Sequence, residues 1–170
     1  MRFPASVLAS FFLLTAGCAA VANQPTITPI AAAPINAARV VATMSAAVRL
    51  PTISARNPEA FAAMKQLLRR TYPLTFGRLA VEENGPGSLL LTWQGSDEKL
   101  APYLMLAHLD VVPVEAGTET LWKYPPFSGA IEEGYVWGRG TLDCKSIAIT
   151  ILAAVEDLVA SGFVPRRTLY

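Results

Sequence analysis

The spacing of apolar positions along the chain predicts an alternation of helices and strands. Apolar side chains that recur every three or four residues predict a helix with one buried face, whereas a short continuous apolar run favours a strand covered on both faces. The elements predicted in this way are helices over 36–49, 57–72 and 143–161, strands over 88–93 and 103–112, a hairpin over 130–137 and the start of a strand over 167–170. This alternation is typical of an α/β fold.

The boundaries and faces of these elements follow from individual residues. Asn57-Pro58 is typical of a helix start, because the Asn side chain can accept from the first turn and Pro needs no amide there. Pro73 ends the same helix. The last helix should bury a face formed by Ile147, Ile151, Val155 and Leu158.

The charged residues are distributed unevenly, and this divides the chain into three parts. Of the 27 charged residues (14 Lys+Arg and 13 Asp+Glu), only Arg2 precedes Arg39. Arg2 and a short apolar run that follows it predict a signal peptide over 1–22, since the run is too short to span a membrane. Residues 23–34 contain three prolines and no charge and are expected to form a linker. The folded part is predicted to cover 35–170.

Two routes could process the signal peptide. Thr15-Ala16-Gly17-Cys18 resembles a bacterial lipobox, which would make Cys18 a lipidation site and attach the protein to a membrane. Alternatively, Ala20-Val21-Ala22 offers a signal-peptidase site, and an uncleaved anchor is a third option. We therefore expect an exported protein, either periplasmic or anchored as a lipoprotein, with secretion as the second choice.

Composition narrows the possible functions. The net charge of +1 gives no support to a nucleic-acid partner, because neutralising phosphates requires a basic surface. The hydrophobic fraction of 52% argues against a disordered chain.

Two short segments contain the candidate chemistry. His108 and Asp110 are two residues apart in a predicted strand, so their side chains point to the same face. Asp143 follows a turn in which Gly138 and Gly140 permit close backbone approach. Neither segment is decisive alone, since His108 could be a structural residue and Asp143 could simply cap a helix.

Together the segments are much more specific. His108–Pro113 (HLDVVP) precedes Gly138–Lys145 (GRGTLDCK), and Trp122–Gly129 (WKYPPFSG) lies between them. This pattern resembles the dizinc metallopeptidase family of carboxypeptidase S, aminoacylase, carboxypeptidase G and succinyl-diaminopimelate desuccinylase. It is most similar to the branch of carboxypeptidase S and secreted N-acyl-amino-acid hydrolases. The resemblance covers about 36–170 and concerns the N-terminal part of the family's catalytic domain.

The resemblance implies a fold, a site and a reaction. The fold would be a three-layer α/β domain with a mixed, largely parallel central sheet, here truncated and without the lid domain. His108 would bind one zinc, Asp143 would bridge two zincs, and Asp110 would be the catalytic acid that orients His108. The expected cofactor is zinc, two ions per complete site. The expected reaction is hydrolysis of a peptide or an N-acyl-amino-acid amide bond.

The sequence also departs from the family pattern. The family's Glu-Glu pair, its later zinc ligands and its lid have no counterpart in these 170 residues. We therefore expect an N-terminal fragment of a zinc hydrolase that is inactive alone. The alternative is a non-catalytic exported lipoprotein or remnant that keeps only the front half of the fold.

Several residues near the motifs have simpler interpretations. Cys144 could be a passive neighbour of Asp143, a third metal ligand or a nucleophile. Arg139 and Lys145 are expected to be solvated basic side chains rather than ligands for a substrate carboxylate. Core packing rather than substrate contact is expected of three aromatic residues, Trp122, Phe127 and Trp137.

Overall fold

The computed structural model describes residues 35–54 and 56–170. The predicted signal peptide over 1–22, its candidate lipidation site Cys18 and the linker over 23–34 lie outside the described residues. Among the described residues, no helix combines the length and the apolar character needed to cross a bilayer.

Three helices occupy the first part of the described chain: α1 (Ala37–Val48), α2 (Pro58–Thr71) and α3 (Pro73–Arg78). Asn36 caps α1 by accepting the amide of Arg39 at 3.0 Å. Asn57 precedes α2 as predicted, but its side chain makes no cap bond and instead donates to the carbonyl of Pro51 at 2.8 Å. Pro73 does end α2 but also begins α3, because proline fits the first turn of a helix.

The regular strands form two antiparallel hairpins. Strand β1 (Ala80–Asn84), which the apolar pattern did not predict, pairs with β2 (Ser88–Thr92). Strands β3 (Ile131–Glu132) and β4 (Tyr135–Val136) form the hairpin that the sequence predicted. Its turn residues, Glu133 and Gly134, have φ values of 55° and 82°. Positive φ at both central positions is typical of a tight two-residue hairpin turn.

The segment 103–112, predicted as a strand, pairs only near its two ends. Tyr103 pairs in parallel with Leu169, and Val111 pairs in parallel with Ile53. Leu169 also pairs antiparallel with Trp93, so the pairing is mixed, with its parallel part confined to single bridges.

The expectation that both faces of segment 103–112 are covered is wrong. Leu104 is 62% exposed and Leu106 is 74% exposed. No described element packs over these side chains in the middle of the segment.

The last helix, α4 (Ser146–Ala160), begins three residues later than predicted. It follows a wide turn over Thr141–Lys145, in which Asp143 and Cys144 have non-helical backbone angles. The predicted buried face is also partly wrong, since Ile147 is 46% exposed. The residues of α4 that are buried are Ile149, Ala153, Val155 and Glu156.

The buried core lies where α1, α2 and α4 pack together. Its fully or nearly fully buried members are Met44, Ala47, Val48, Met64, Leu68, Tyr72, Ile149 and Ala153. The hydroxyl of Tyr72 donates to the carbonyl of Ile149 at 3.1 Å, so this buried polar group has a partner. The carboxylate of Glu156 accepts the amides of Leu74 and Thr75 at 3.0 and 2.7 Å and thereby fixes the start of α3 on α4. The core therefore holds α4, and with it the turn that carries Asp143.

Candidate metal centre

Three acidic and imidazole side chains that the sequence singled out lie together at the edge of the fold. The Nε2 atom of His108 lies 2.8 Å from Oδ1 of Asp143. Its Nδ1 atom lies 3.0 Å from Oδ1 of Asp110 and 3.1 Å from the Asp110 carbonyl oxygen. His108 thus has one ring nitrogen facing each carboxylate. The predicted site residues His108, Asp110 and Asp143 are brought together in one cluster.

Glycines in the preceding turn allow this approach. Gly138 and Gly140 have φ values of 146° and 87°, where other residues are strained. A Cβ added at Gly140 would lie 2.5 Å from Cγ1 of Val111, and one added at Gly138 would lie 2.4 Å from Cγ1 of Val48. The turn can therefore pass against the segment that carries His108 because Gly140 lacks a side chain, and against α1 because Gly138 lacks one.

The two carboxylates change the protonation equilibrium of the imidazole. The hydrogen bond with Asp143, reinforced by Asp110, raises the pKa of His108 above its usual range. A hydrogen bond from Ser54 lowers the pKa of Asp110 below its usual range, and the neighbouring His108 lowers it further. Asp110 is therefore a carboxylate at neutral pH, and it favours a proton on Nδ1 of His108.

The donor set fits a zinc-like ion. His108, Asp143 and Cys144 each offer a ligand atom, and these atoms lie within 4.8 Å of one another. Imidazole nitrogen and carboxylate oxygen are common zinc ligands, and two ligands of one tetrahedral zinc lie about 3.3 Å apart for bonds of about 2.0 Å. The observed separation of 2.8 Å between His108 and Asp143 is close to that value. Asp110 occupies the place of the carboxylate that commonly orients a zinc-bound histidine.

Cys144 contacts the backbone of His108. Its Sγ accepts the His108 amide at 3.2 Å and donates to the His108 carbonyl at 3.6 Å. Cys144 is buried and forms no disulfide within the described part of the chain. Of the three roles that the sequence left open, this geometry favours a neighbour that holds the His108 backbone against the turn.

Lys145 differs from the expectation of a solvated side chain. It is fully buried, and its Nζ donates to the carbonyls of Ala47 and Leu50 at 2.9 and 2.7 Å. Burial lowers the pKa of Lys145 to about 8. These carbonyls lie at the end of α1, where a cation is favoured by the helix dipole. The sequence offered little sign of this, since α1 is far away along the chain.

Arg139 is half-buried rather than freely solvated. Its guanidinium lies over the ring of Trp122, with 5.1 Å between the guanidinium carbon and the ring centroid. Its backbone amide donates to the carbonyl of Pro126 at 2.7 Å. The expectation of two solvated basic side chains is therefore wrong for Lys145 and incomplete for Arg139.

A small cavity lies against the His108–Asp143 pair, and a larger cavity adjoins it. The smaller, about 250 Å³, is lined by His108, Asp110 and Asp143 among others. The larger, about 940 Å³, is mostly apolar and is lined by Trp122 and Trp137. The residues that line both are Trp122, Gly138, Thr141 and Leu142.

Trp122 and Trp137, for which core packing was expected, are half-buried, lie outside the buried core cluster and line the larger cavity. Phe127, the third aromatic residue, is half-buried. The sequence did not reveal the larger cavity because its walls come from α1, the 118–124 segment, β4 and the turn before α4.

Comparison with known proteins agrees with the motif. A family model described as peptidase family M20/M25/M40 matches residues 104–170, a range that includes His108, Asp110 and Asp143. Carboxypeptidase S from Saccharomyces cerevisiae is 41% identical over 138 residues, which cover 74% of this chain and 24% of that protein. The N-fatty-acyl-amino acid synthase/hydrolase PM20D1 from Xenopus tropicalis is 38% identical over 138 residues, which cover 78% of this chain and 26% of that protein. The chain spans about a quarter of the length of these relatives.

Solved structures show the same fold. An M20 family metallo-carboxypeptidase from Sulfolobus solfataricus has a TM-score of 0.59 at 22% identity, over 76% of this chain and 29% of that chain. Human carnosine dipeptidase 1 has a TM-score of 0.53 at 21% identity, over 78% of this chain and 30% of that chain. At these identities the likeness establishes the fold alone.

The fold is a mixed α/β fold like that of the solved M20 family metallo-carboxypeptidase. Residues 104–170 match peptidase family M20/M25/M40, as the resemblance of the motifs indicated, and the chain is similar over a longer range to carboxypeptidase S. The partial coverage of the relatives agrees with the expectation that it represents an N-terminal part.

Proposed function

We propose that this chain carries part of the metal centre of a zinc-dependent hydrolase that cleaves peptide or N-acyl-amino-acid amide bonds. The observation that supports this most directly is the His108–Asp143 pair, with Asp110 behind the imidazole. The relatives' names, carboxypeptidase S and N-fatty-acyl-amino acid synthase/hydrolase, support the substrate class.

Each side chain has a distinct task in this proposal. His108 binds the metal through Nε2, and Asp110 keeps the proton on Nδ1 and aligns the ring. Asp143 supplies a carboxylate oxygen on the Nε2 side of the His108 ring, opposite Asp110. The Asp143 side chain is exposed enough for an ion to reach it. A bound zinc would polarise the scissile carbonyl and make a coordinated water acidic enough to attack at neutral pH.

Two zincs would need more ligands than His108 and Asp143 provide. Because the chain spans about a quarter of its relatives, we propose that the remaining ligands and the general base belong to the portion of the relatives that it does not match. On this basis the 170-residue chain binds metal but does not turn over substrate by itself.

The larger cavity is a candidate site for the acyl group. Its aromatic and aliphatic walls include Leu121, Trp122, Tyr135 and Trp137, and it adjoins the cavity that holds His108. Lining of this kind favours an extended apolar group over a small polar one. We propose that an apolar acyl chain of an N-acyl amino acid lies here while its amide bond faces the metal centre.

We also propose that the protein is exported, on the basis of the predicted signal peptide over 1–22. Lipidation at Cys18 would attach it to a membrane; cleavage after Ala22 would release it.

Zinc binding tests the proposed metal centre directly. The metal-free 170-residue chain is titrated with zinc in competition with a chromophoric chelator. We expect measurable binding by the unmodified chain and at least about tenfold weaker binding after His108→Ala or Asp143→Ala, since each removes one ligand. Glu98→Gln, an exposed acidic residue away from the cluster, serves as the matched control. Unchanged zinc affinity in His108→Ala would contradict the proposal.

A further inference from the structure

A short segment next to the candidate metal centre is fixed to the segment that carries Asp110. The amide of Val111 donates to the carbonyl of Thr52 at 2.9 Å, and the amide of Ser54 donates to the carbonyl of Val111 at 3.4 Å. The hydroxyl of Thr52 donates to the carbonyl of Leu109 at 2.5 Å. These hydrogen bonds do not involve the Ser54 side chain, so they hold the Ser54 backbone beside Asp110 independently of the Ser54 hydroxyl.

The Ser54 hydroxyl uses this position to bind the Asp110 carboxylate. It donates to Oδ2 of Asp110, while Oδ1 of the same carboxylate lies 3.0 Å from Nδ1 of His108. Each carboxylate oxygen of Asp110 thus has its own partner, Ser54 for Oδ2 and His108 for Oδ1. Among the described residues, Ser54 and His108 are the side chains that form hydrogen bonds or ion pairs with Asp110.

This contact adds Ser54 to the series of hydrogen-bonded side chains that ends at the candidate metal ligands. The order is Ser54, Asp110, His108 and Asp143, each joined to the next by a hydrogen bond or a charged contact. An exposed carboxylate that is held on one oxygen only can rotate and exchange its partner for water. A donor on Oδ2 restrains that rotation and keeps Oδ1 directed at Nδ1.

We propose that Ser54 is a positioning residue of the metal centre. It fixes the carboxylate plane of Asp110, which in turn holds the proton on Nδ1 of His108 and leaves Nε2 free for the metal. This inference rests on the proposed function, because it assigns Ser54 a task in the same centre. The apolar pattern of the sequence gave no indication of it, since Ser54 precedes Asp110 by 56 residues.

Three variants separate this role from a purely structural one. Ser54→Ala removes the hydroxyl but keeps the backbone bond to Val111, so the pairing of the two segments remains. Ser54→Thr retains a hydroxyl and should restore the unmodified behaviour. Ser88→Ala is the matched control, because Ser88 lines the same cavity as Ser54 and Asp110 without a hydrogen bond to the carboxylate.

His108 is the only histidine in the sequence, so its ring can be observed without assignment ambiguity. Ring proton and nitrogen NMR spectra of histidine-labelled protein report the Nδ1–H signal and its exchange with water, in the metal-free and in the zinc-loaded chain. In Ser54→Ala we expect faster exchange of that proton in both samples. We also expect zinc affinity to fall about threefold to tenfold, the size of one lost hydrogen bond of ordinary strength. Ser54→Thr and Ser88→Ala should match the unmodified chain in both measurements.

The outcomes distinguish this inference from the proposed function. Equal Nδ1–H exchange in Ser54→Ala and the unmodified chain would overturn the role of Ser54, whether or not zinc is bound. So would a failure of Ser54→Thr to restore the slow exchange. Failure of the unmodified chain to bind zinc would instead overturn the proposed function, and the metal-free spectra would still report on Ser54.

Discussion

The Nε2 atom of His108 lies 2.8 Å from Oδ1 of Asp143, although 35 residues separate them in the chain. The contact joins the segment 103–112 to the turn before α4, and it forms where Gly140 passes against Val111. The function proposed for this protein depends on that contact.

The orientation of His108 should depend on the charge of Asp110. In Asp110→Asn the amide cannot match the negative charge that favours a proton on Nδ1, so the imidazole becomes a weaker ligand. Zinc affinity should fall about 10- to 100-fold, as is usual when the carboxylate behind a ligating histidine is lost. Chelator competition measures this, with Glu98→Gln as the control. An affinity for zinc equal to that of the unmodified chain would show that Asp110 does not orient His108.

The close approach of the turn should require Gly140. Gly140→Ala places a Cβ 2.5 Å from Val111 and strains a φ of 87°. We expect the free energy of unfolding to fall by about 2 kcal/mol or more and zinc binding to weaken with it.

Gly117→Ala separates the two causes, because Gly117 has a similar φ of 85° but open space around it. Backbone strain alone should cost about 1 kcal/mol there and leave zinc affinity unchanged. Urea unfolding and zinc titration of both variants check the prediction. Equal losses in the two variants would mean that contact with Val111 is unimportant.

The buried Lys145 should make stability depend on alkaline pH. Its folded pKa of about 8 lies below the value of about 10.4 for an unfolded lysine, so the unfolded chain binds more protons between these values. Stability should therefore rise as pH increases from about 8 to about 9.5, by up to about 2 kcal/mol. Below pH 8 this contribution should be flat.

Lys145→Met provides the comparison for that pH dependence. The variant should be less stable at pH 7.5, because the carbonyls of Ala47 and Leu50 lose their donor. It should also lack the rise between pH 8 and 9.5 in urea unfolding. A rise of the same size in Lys145→Met would assign the effect to other groups.

The larger cavity should prefer long acyl chains. Trp122 and Trp137 line it, so tryptophan fluorescence reports on its occupancy. N-dodecanoylglycine should bind at least about tenfold more tightly than N-acetylglycine, since each buried methylene contributes about 0.8 kcal/mol. Leu121→Asp should reduce that preference, whereas Leu106→Asp, an exposed position outside the cavity, should not. Equal binding of the two ligands would contradict the assignment.

The proposed membrane anchor should depend on Cys18. When the chain is expressed with its own signal sequence in a bacterium that processes lipoproteins, labelled palmitate should be incorporated and the protein should sediment with membranes. Cys18→Ala should abolish both, and Cys144→Ala should abolish neither. Unlabelled protein released by cleavage near Ala22 would favour plain secretion.

The residue pattern of the sequence predicted many of the helices and turns correctly, because neighbouring residues decide where most helices and strands begin and end. Asn36 and Pro58 mark helix starts, and Glu133-Gly134 form the turn of the predicted hairpin. The errors occur where tertiary contacts decide. Helix α4 begins later than predicted because the turn before it, in which Gly140 packs against Val111, is not helical. The middle of the predicted strand over 103–112 is exposed because its burial depends on which elements pack over it and not on its own apolar pattern.

The sequence by itself determined the family resemblance and the ligand candidates, because both rest on the residue types and spacing of His108, Asp110 and Asp143 along the chain. Only the tertiary structure decided that Lys145 is buried, that Trp122 and Trp137 line a cavity, and that Ser54 binds Asp110. Each of these depends on residues far apart in the chain, whose distance is set by how α1, the 103–112 segment and the turn before α4 pack together. A one-dimensional pattern contains no measure of that distance.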